Sequence, residues 1–333
     1  MTEGPNKNSG PWPGWMRPVS WLASRLVAVH VALKQRTYAA APKAPLPVIS
    51  VGNVHAGGTD KSPLVHSLAE ALAHRGRKPV VLSRGYGGSI RQATRVDART
   101  HQAHQVGDEP LMMALEGLEV IVGPNRLASA GLAHKLGLDL AVLDDGHQTN
   151  SISKDFSLLV LPCGFAGHSG LIPLGWLREP IATALGRADA AVFYGSPTAD
   201  DLAMLKEFDL EHLEAHFQVA GEHGWKENPH LLLTGIANPG RVLNSAQELG
   251  LAVAEHLSFP DHHRFSDQEL DAFRAKLSDQ RGLKLLTTAK DLVRLPSDLA
   301  DQARVLKGRF QPQDLVQFER LLDRICQSGG SNS

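Results

Sequence analysis

Cysteine is nearly absent: only Cys163 and Cys326 occur in 333 residues. Two such residues, far apart, supply neither a disulfide framework nor a metal-binding spacing, and they fit a reducing compartment. Net charge is nearly absent as well, at −1, so the chain lacks the electrostatic footprint of a nucleic-acid surface. No apolar run is long enough to cross a bilayer, and no small-residue cleavage site follows an apolar core, which argues against a signal peptide. No internal repeat is visible. What the chain does have is 42 % hydrophobic residues, enough for a substantial core, over a length that accommodates two ordinary domains. Most of its 16 histidines read as surface or capping residues, with His262-His263 in a more suggestive context.

The organising stretch runs from residue 47 to 63. Val48, Ile49, Val51 and Val54 flank Gly52-Asn53 and predict a buried strand running into a loop. Gly57-Gly58-Thr59 lead to Lys61-Ser62, and Leu64, Val65, Leu68, Ala69 and Leu72 then recur with helical spacing. Pro63 falls in the first helical turn, where its missing N–H costs nothing. Strand, Gly-rich loop, Lys-Ser and helix form the layout of a phosphate-binding loop: backbone N–H groups cradle phosphate, the Lys reaches the outer oxygens and the Ser hydroxyl meets Mg²⁺. The strict pattern wants Gly where His55 and Asp60 stand. A carboxylate about 4 Å from a phosphate charge is repelled by roughly 4 kcal/mol at an effective dielectric of 20. An ordinary Gly-rich strand-to-helix turn is therefore the competing reading of the loop.

Before this stretch, residues 1–14 are rich in Gly, Pro, Asn and Ser and read as a loose tail. Residues 15–36 predict a largely apolar helix with Trp15, Trp21, Arg17, Arg25, Lys34 and Arg36 along it. It reads equally as a membrane-interfacial helix and as a core helix packed on a sheet. After it, strands are expected at 78–82, 119–122, 139–143, 157–161 and 189–193, with helices between several of them. Such alternation predicts an α/β fold, a mostly parallel sheet with helices on both faces and ligands at the carboxyl ends of its strands.

Ser83-Arg84-Gly85-Tyr86-Gly87-Gly88 is expected to form a sharp turn close to a ligand, or a plain loop. Asp108 in Val106-Gly107-Asp108-Glu109-Pro110 reads first as the N-cap of a helix beginning at Leu111. The strand 139–143 runs into Asp144-Asp145-Gly146-His147-Gln148, where a strand-end carboxylate can hold Mg²⁺ or its waters. An Asp-Gly turn is the alternative, and the company of Lys61-Ser62 favours function. Arg178, in Leu177-Arg178-Glu179-Pro180, could clamp phosphate or sit exposed beside Glu179. A second, smaller α/β lobe is expected from about 197, with strands at 230–234, 253–259 and 283–288 and a closing helix at 311–326. Asp261-His262-His263 fits a His oriented by a carboxylate better than a metal pair.

In this order, the Gly52-Asn53 and Gly57-Gly58-Thr59 loop, Ser83–Gly88, Val106–Pro110, Asp144–Gln148, Leu177–Pro180, Phe259–His263 and Thr287-Thr288-Ala289-Lys290-Asp291 resemble the tetraacyldisaccharide 4′-kinases of lipid A biosynthesis over residues 15–326. Each motif is weak by itself, whereas seven in sequence are highly specific. The resemblance implies an ATP- and Mg²⁺-dependent kinase, P-loop NTPase-like in fold, at the cytoplasmic face of a bacterial inner membrane. Its acceptor would be the 4′-hydroxyl of a tetraacylated glucosamine disaccharide 1-phosphate, with no nucleic-acid partner. It favours the interfacial reading of 15–36 and divides the rest into a nucleotide lobe, 37–196, and a closing lobe, 197–333. It implies Asp108 as base with His262 beside it, Lys61 on the transferring phosphoryl group, and Gly57, Gly58, Thr59, Ser62 and Arg178 around the phosphates. Ser62, Asp144, Asp145, Gln148 and Glu179 would serve the metal. Departures from the family pattern stand at Asp60, at Ala289 and at Leu161–Gly170, where Pro162 and Cys163 replace the usual residues. Asp60 motivates an alternative, a catalytically impaired relative that binds acylated glycolipid or nucleotide. A metal-cofactor GTPase is disfavoured, because no Asn-Lys-x-Asp guanine motif and no Cys/His ligand set occur.

Overall fold

The computed structural model describes residues 25, 27, 38, 40–56, 61–168, 170–221 and 223–328. The expected loose tail 1–14, the helix 15–36 apart from the helical Arg25 and Val27, and the loop residues Gly57, Gly58, Thr59 and Asp60 lie outside the described residues.

Among the described residues twelve strands form one sheet. In chain order they are β1 Val48–Asn53, β2 Pro79–Ser83, β3 Thr94–Arg95, β4 Val120–Val122, β5 Leu140–Asp144, β6 Phe156–Leu161, β7 Ala190–Tyr194, β8 Glu211–Ala220, β9 Pro229–Thr234, β10 Ala252–Ser258, β11 Lys284–Thr288 and β12 Arg304–Pro312. Their spatial order is β10-β9-β11-β12-β8-β7-β6-β1-β5-β2-β4-β3. β1 pairs in parallel with β5 and β6, and β9 pairs in parallel with β10 and β11. The two parallel halves meet at the antiparallel β8–β12 ribbon. Every residue of β1 is buried, as expected for a strand covered on both faces.

Each half reverses its strand order once. From β1 the chain moves outward to β2 and β4, returns through β5 and crosses to β6 on the other side of β1. In the second half, β9 leads outward to β10 and the chain then crosses to β11 on the other side of β9. Such reversals open a crevice at the carboxyl ends of the flanking strands, where no crossover helix covers them.

The helix Lys61–His74 buries Leu64, Val65, Leu68, Ala69 and Leu72 against β1 and its neighbours. The closing helix Leu315–Ser328 buries Phe318, Leu321, Leu322 and Ile325 in the same cluster. Arg75 fastens the two by ion pairs to Glu319 and Asp323. The sequence reading assigned this helix to the second lobe; in the structure it packs on the first. The strands β8 and β12 also fall where none was expected. β8 carries the alternation of a half-covered antiparallel strand, with Leu213, Ala215 and Val219 buried between polar residues. That signal is weaker than the continuous apolar runs of the parallel strands.

Candidate functional site

The first crevice collects side chains from the ends of β1 and β5 and from the start of the helix Lys61–His74. Lys61 Nζ donates to Asn53 Oδ1 at 3.2 Å and lies 3.3 Å from Asp145 Oδ1. Arg178 Nη1 contacts both oxygens of Asp145, at 3.3 and 3.1 Å. Arg178 is brought there by main-chain pairing: its N–H donates to Val54 O at 2.7 Å, and the Ala56 N–H donates to Trp176 O at 2.7 Å. Beside this pairing His55 Nε2 sits 2.7 Å from His168 Nδ1, and burial, followed by the neighbouring His168 and Arg178, lowers the His55 pKa to about 4.

Adjacent carboxylates are tuned in opposite directions. Asp144 is buried, and desolvation, reinforced by Glu109, raises its pKa to about 7 although Lys61 opposes the shift. Its carboxylate accepts no hydrogen bond from any described residue. Burial also pushes Asp145 up, but Lys61 and Arg178 outweigh it and hold that carboxyl below its ordinary value. Asp145 turns the chain with φ 52°, a left-handed conformation that for a non-glycine residue costs on the order of 1–3 kcal/mol. Behind them Gly52 is obligatory, because a Cβ there would lie 2.5 Å from the Cβ and 2.7 Å from the backbone N of His147.

Gln148 and Glu179, expected beside the metal, are engaged elsewhere. Gln148 Nε2 donates to Asn53 O at 2.7 Å and to Glu179 Oε1 at 2.9 Å, and Glu179 Oε2 accepts from Arg187 at 2.7 Å. Both Glu179 oxygens are taken, and the residue is 1 % exposed. These two side chains brace the β1 and β5 loops. Among the described residues no group of three or more His, Cys, Asp or Glu side chains gathers as a metal site.

The second crevice supplies His262 after β10 and Lys290, Asp291 and Arg294 after β11. His262, at φ 60°, places Nδ1 2.9 Å from Asp108 Oδ2. Its Nε2 lies 3.2 Å from Lys290 Nζ. Its Nδ1 also lies 3.4 Å from Arg294 Nη2, so each ring nitrogen has a cation beside it and Nδ1 faces the carboxylate as well. Arg294 Nε and Nη2 each reach the same Asp108 Oδ2 at 2.8 Å, while its Nη1 holds Asp291 Oδ1 at 3.1 Å and Gly235 O at 2.9 Å. All of these contacts fall on one oxygen. Asp108 Oδ1 accepts no hydrogen bond from any described residue, and the side chain is 19 % exposed.

Asp108 is not the expected N-cap. Gly107, at φ 96°, occupies that position, and the helix Asp108–Leu115 starts at Asp108 itself. The two glycine motifs interlock to fix this corner. A Cβ on Gly88 would fall 2.5 Å from Gln105 O, and one on Gly107 would fall 2.6 Å from Tyr86 O. The close approach that the glycines allow is thus between two stretches of the chain. Tyr86 is left 80 % exposed, its ring 6.3 Å from that of His262.

One chain of charges joins the crevices. Lys290 Nζ lies 3.6 Å from Glu109 Oε1, and Glu109 is the strongest charge acting on Asp144. Arg294 was missed in the sequence; it lies three residues beyond the Lys290-Asp291 motif, and an isolated Arg there carries no spacing signal.

Residues 12–327 match the family described as tetraacyldisaccharide-1-P 4′-kinase. The tetraacyldisaccharide 4′-kinase of Rhodopseudomonas palustris is 38 % identical over 306 residues, 87 % of each chain. That of Rhodospirillum centenum is 37 % identical over 322 residues, 93 % of each chain. The fold is similar to the crystal structure of LpxK from Aquifex aeolicus, an "apo" form in complex with ATP, with a TM-score of 0.76 and 26 % identity, covering 95 % of this chain and 98 % of that one.

Proposed function

The chain belongs to the tetraacyldisaccharide-1-phosphate 4′-kinase family, and from that premise we propose that it transfers the γ-phosphoryl group of ATP to the 4′-hydroxyl of a tetraacylated disaccharide 1-phosphate. The observation that carries this reading is the one-sided grip on Asp108. His262 and Arg294 hold Oδ2, which orients the carboxylate and leaves Oδ1 to accept the hydroxyl proton. As that proton moves to Oδ1, the sugar oxygen bonds to the γ-phosphorus and the bond to the β-phosphate oxygen breaks, releasing ADP. Lys61 and Arg178 neutralise the charge that spreads over the phosphoryl oxygens. Both are tied to Asp145, so arriving phosphates would compete with a carboxylate for the same cations.

The donor set suits Mg²⁺. Asp144 has a desolvated carboxylate and Asp145 adds a second one, and the Ser62 hydroxyl would add a further hard oxygen. When bound, the ion would neutralise phosphate charge at these residues. Glu179 and Gln148 act behind them as braces. Gly57, Gly58 and Thr59 would complete the phosphate cradle through their backbone N–H groups.

No described helix is long and apolar enough to cross a membrane. The Trp and Arg residues of 15–36 support a peripheral seat at the headgroup level of the cytoplasmic face, where the lipid acceptor lies. The test is ATP-dependent phosphorylation of the tetraacyl disaccharide in mixed micelles with Mg²⁺. Product phosphorylated at the 4′ position is expected, and absence of turnover from folded protein overturns the reading.

A further inference from the structure

The brace formed by Gln148 and Glu179 does not end at Arg187. Tyr38, half-buried, meets it twice. Its hydroxyl donates to Gln148 O at 3.0 Å, a residue 110 positions later in the chain. Its ring carries the Arg187 guanidinium carbon 4.4 Å from the centroid, with Lys154 Nζ at 5.6 Å. An aromatic face attracts a cation through its quadrupole, and more strongly where water is excluded. Both cations also serve polar groups: Lys154 Nζ donates to His147 O at 2.6 Å, and Arg187 donates to Thr183 O at 3.1 Å and to Glu179 Oε2 at 2.7 Å. Glu179 is buried, so its charge depends on that guanidinium. From Glu179 the contacts run on to the phosphate crevice. Gln148 Nε2 donates to Glu179 Oε1 and to Asn53 O. Asn53 in turn donates through Nδ2 to His55 O at 2.8 Å and accepts Lys61 Nζ at Oδ1. Every link from the ring to the Lys61 ammonium is a direct contact.

We propose that Tyr38 is a positioning residue for phosphoryl transfer: its ring holds Arg187 against Glu179, and Glu179 and Gln148 thereby set the place of Asn53 and of the Lys61 ammonium. The inference rests on the kinase reading above. The ring is the active part of Tyr38. It covers the cation on which a buried carboxylate depends, whereas the hydroxyl meets a backbone carbonyl in a turn already closed by the Thr149 N–H on Gly146 O. Without the ring, water reaches the guanidinium and its grip on Glu179 weakens. Gln148 then holds Asn53 less firmly, and the ammonium loses its aim. A misplacement of about 1 Å by a change remote from the chemistry can cost on the order of 10²-fold in rate. Lys61 acts on charge that develops during transfer, so the loss falls on kcat more than on ATP affinity. Tyr38 also stands two residues beyond the segment 15–36 in the sequence, so the same contact fastens the chain leaving that segment to the phosphate crevice.

The test uses the full-length protein. Tyr38→Leu removes the ring, and Tyr38→Phe keeps it and removes the hydroxyl. Tyr38→Gln removes the ring with a polar side chain that a half-exposed site tolerates, should the leucine variant fold poorly. We expect Tyr38→Leu to lower kcat by about tenfold or more while the Kd for ATP changes by less than about threefold, and Tyr38→Phe to keep kcat within about threefold of wild type. In a Glu179→Gln background, where the relay is already cut, Tyr38→Leu should lower kcat by less than about twofold further. A ring that merely supported the fold would cost the same factor in either background. A second readout needs no turnover: acylation of Lys61 by an acyl phosphate of ATP, followed by mass spectrometry, should slow by about fivefold or more in Tyr38→Leu and not in Tyr38→Phe. Wild-type kcat and labelling in Tyr38→Leu, equal losses in Tyr38→Leu and Tyr38→Phe, or additive losses with Glu179→Gln overturn the proposal. Lys61 labelling that follows the ring in a protein that transfers no phosphate would keep the placement of Lys61 by Tyr38 and discard the kinase reading.

Discussion

Asp144 and Asp145 are chain neighbours whose protons are held at different strengths, and the difference has a thermodynamic consequence. Asp144 has its folded-state pKa raised from 3.8 to about 7, chiefly by burial. An acid raised on folding binds more protons in the native than in the unfolded state within that window. Its contribution to stability is therefore lost as pH rises from about 4 to 7. Asp144→Asn removes the ionisation. In EDTA at pH 8 the variant should resist urea better than wild type by on the order of 2 kcal/mol, an advantage that shrinks towards pH 4. The same variant should lose phosphoryl transfer, separating stability from function at one residue. At Asp108 the expectation differs. Asp108→Asn keeps the size and one acceptor but no base, so kcat should fall by about 10²–10⁴ with ATP binding retained in a titration. The gathering of Lys61 and Asp145 was legible in the sequence, because both lie in recognisable strand-end contexts. The Arg187 contact of Glu179 was not legible, because a carboxylate in a motif carries no mark of which cation holds it.

Among the elements, the corner where the Ser83–Gly88 loop meets Gly107 sets the direction of the Asp108 helix. Gly107→Ala must both adopt φ 96° and push a Cβ into Tyr86 O, so it should cost about 2 kcal/mol or more in denaturation. It should also lower kcat more than Leu68→Ala, a core truncation expected to cost about 2–5 kcal/mol in a helix whose catalytic end is Lys61. Comparing kcat at matched stability separates misplacement of the base from general loosening. Arg294→Gln strips the guanidinium from Asp291, a fully buried carboxylate, and from Asp108 together. A loss of about 3 kcal/mol is expected on urea denaturation, with a fall in kcat beyond that of Gly107→Ala. The glycine motifs were visible in the sequence as places of close approach, but what approaches was not. That depends on a partner segment about twenty residues away, which local spacing does not encode. Parallel strands with continuous apolar runs were read well, whereas β8 and β12, paired antiparallel at the junction, were not, since half-covered alternation blends with ordinary polar sequence.

In the whole molecule, the two crevices arise at strand-order reversals, one in each parallel half. The first gathers Lys61 and Arg178 on Asp145, and the second brings the His262 imidazole and the Arg294 guanidinium onto Asp108. Neither half contains a complete site, which is why the α/β alternation in the sequence indicated a crevice but not which residues would meet across it. The two halves are also stitched by the closing helix, whose Phe318, Leu321, Leu322 and Ile325 belong to the first core. Leu322→Ala should accordingly lower amide-exchange protection in β1 and the helix Lys61–His74, far away in sequence, by as much as in its own helix. The remote origin of that helix also bears on biogenesis. When the ribosome has released the nucleotide half, one wall of its core is still unsynthesised, so the nascent chain would carry a bare apolar surface until its final turns emerge. A message truncated just short of them would yield a chain that chaperones and proteases recognise, rather than a half-enzyme able to sequester ATP or lipid.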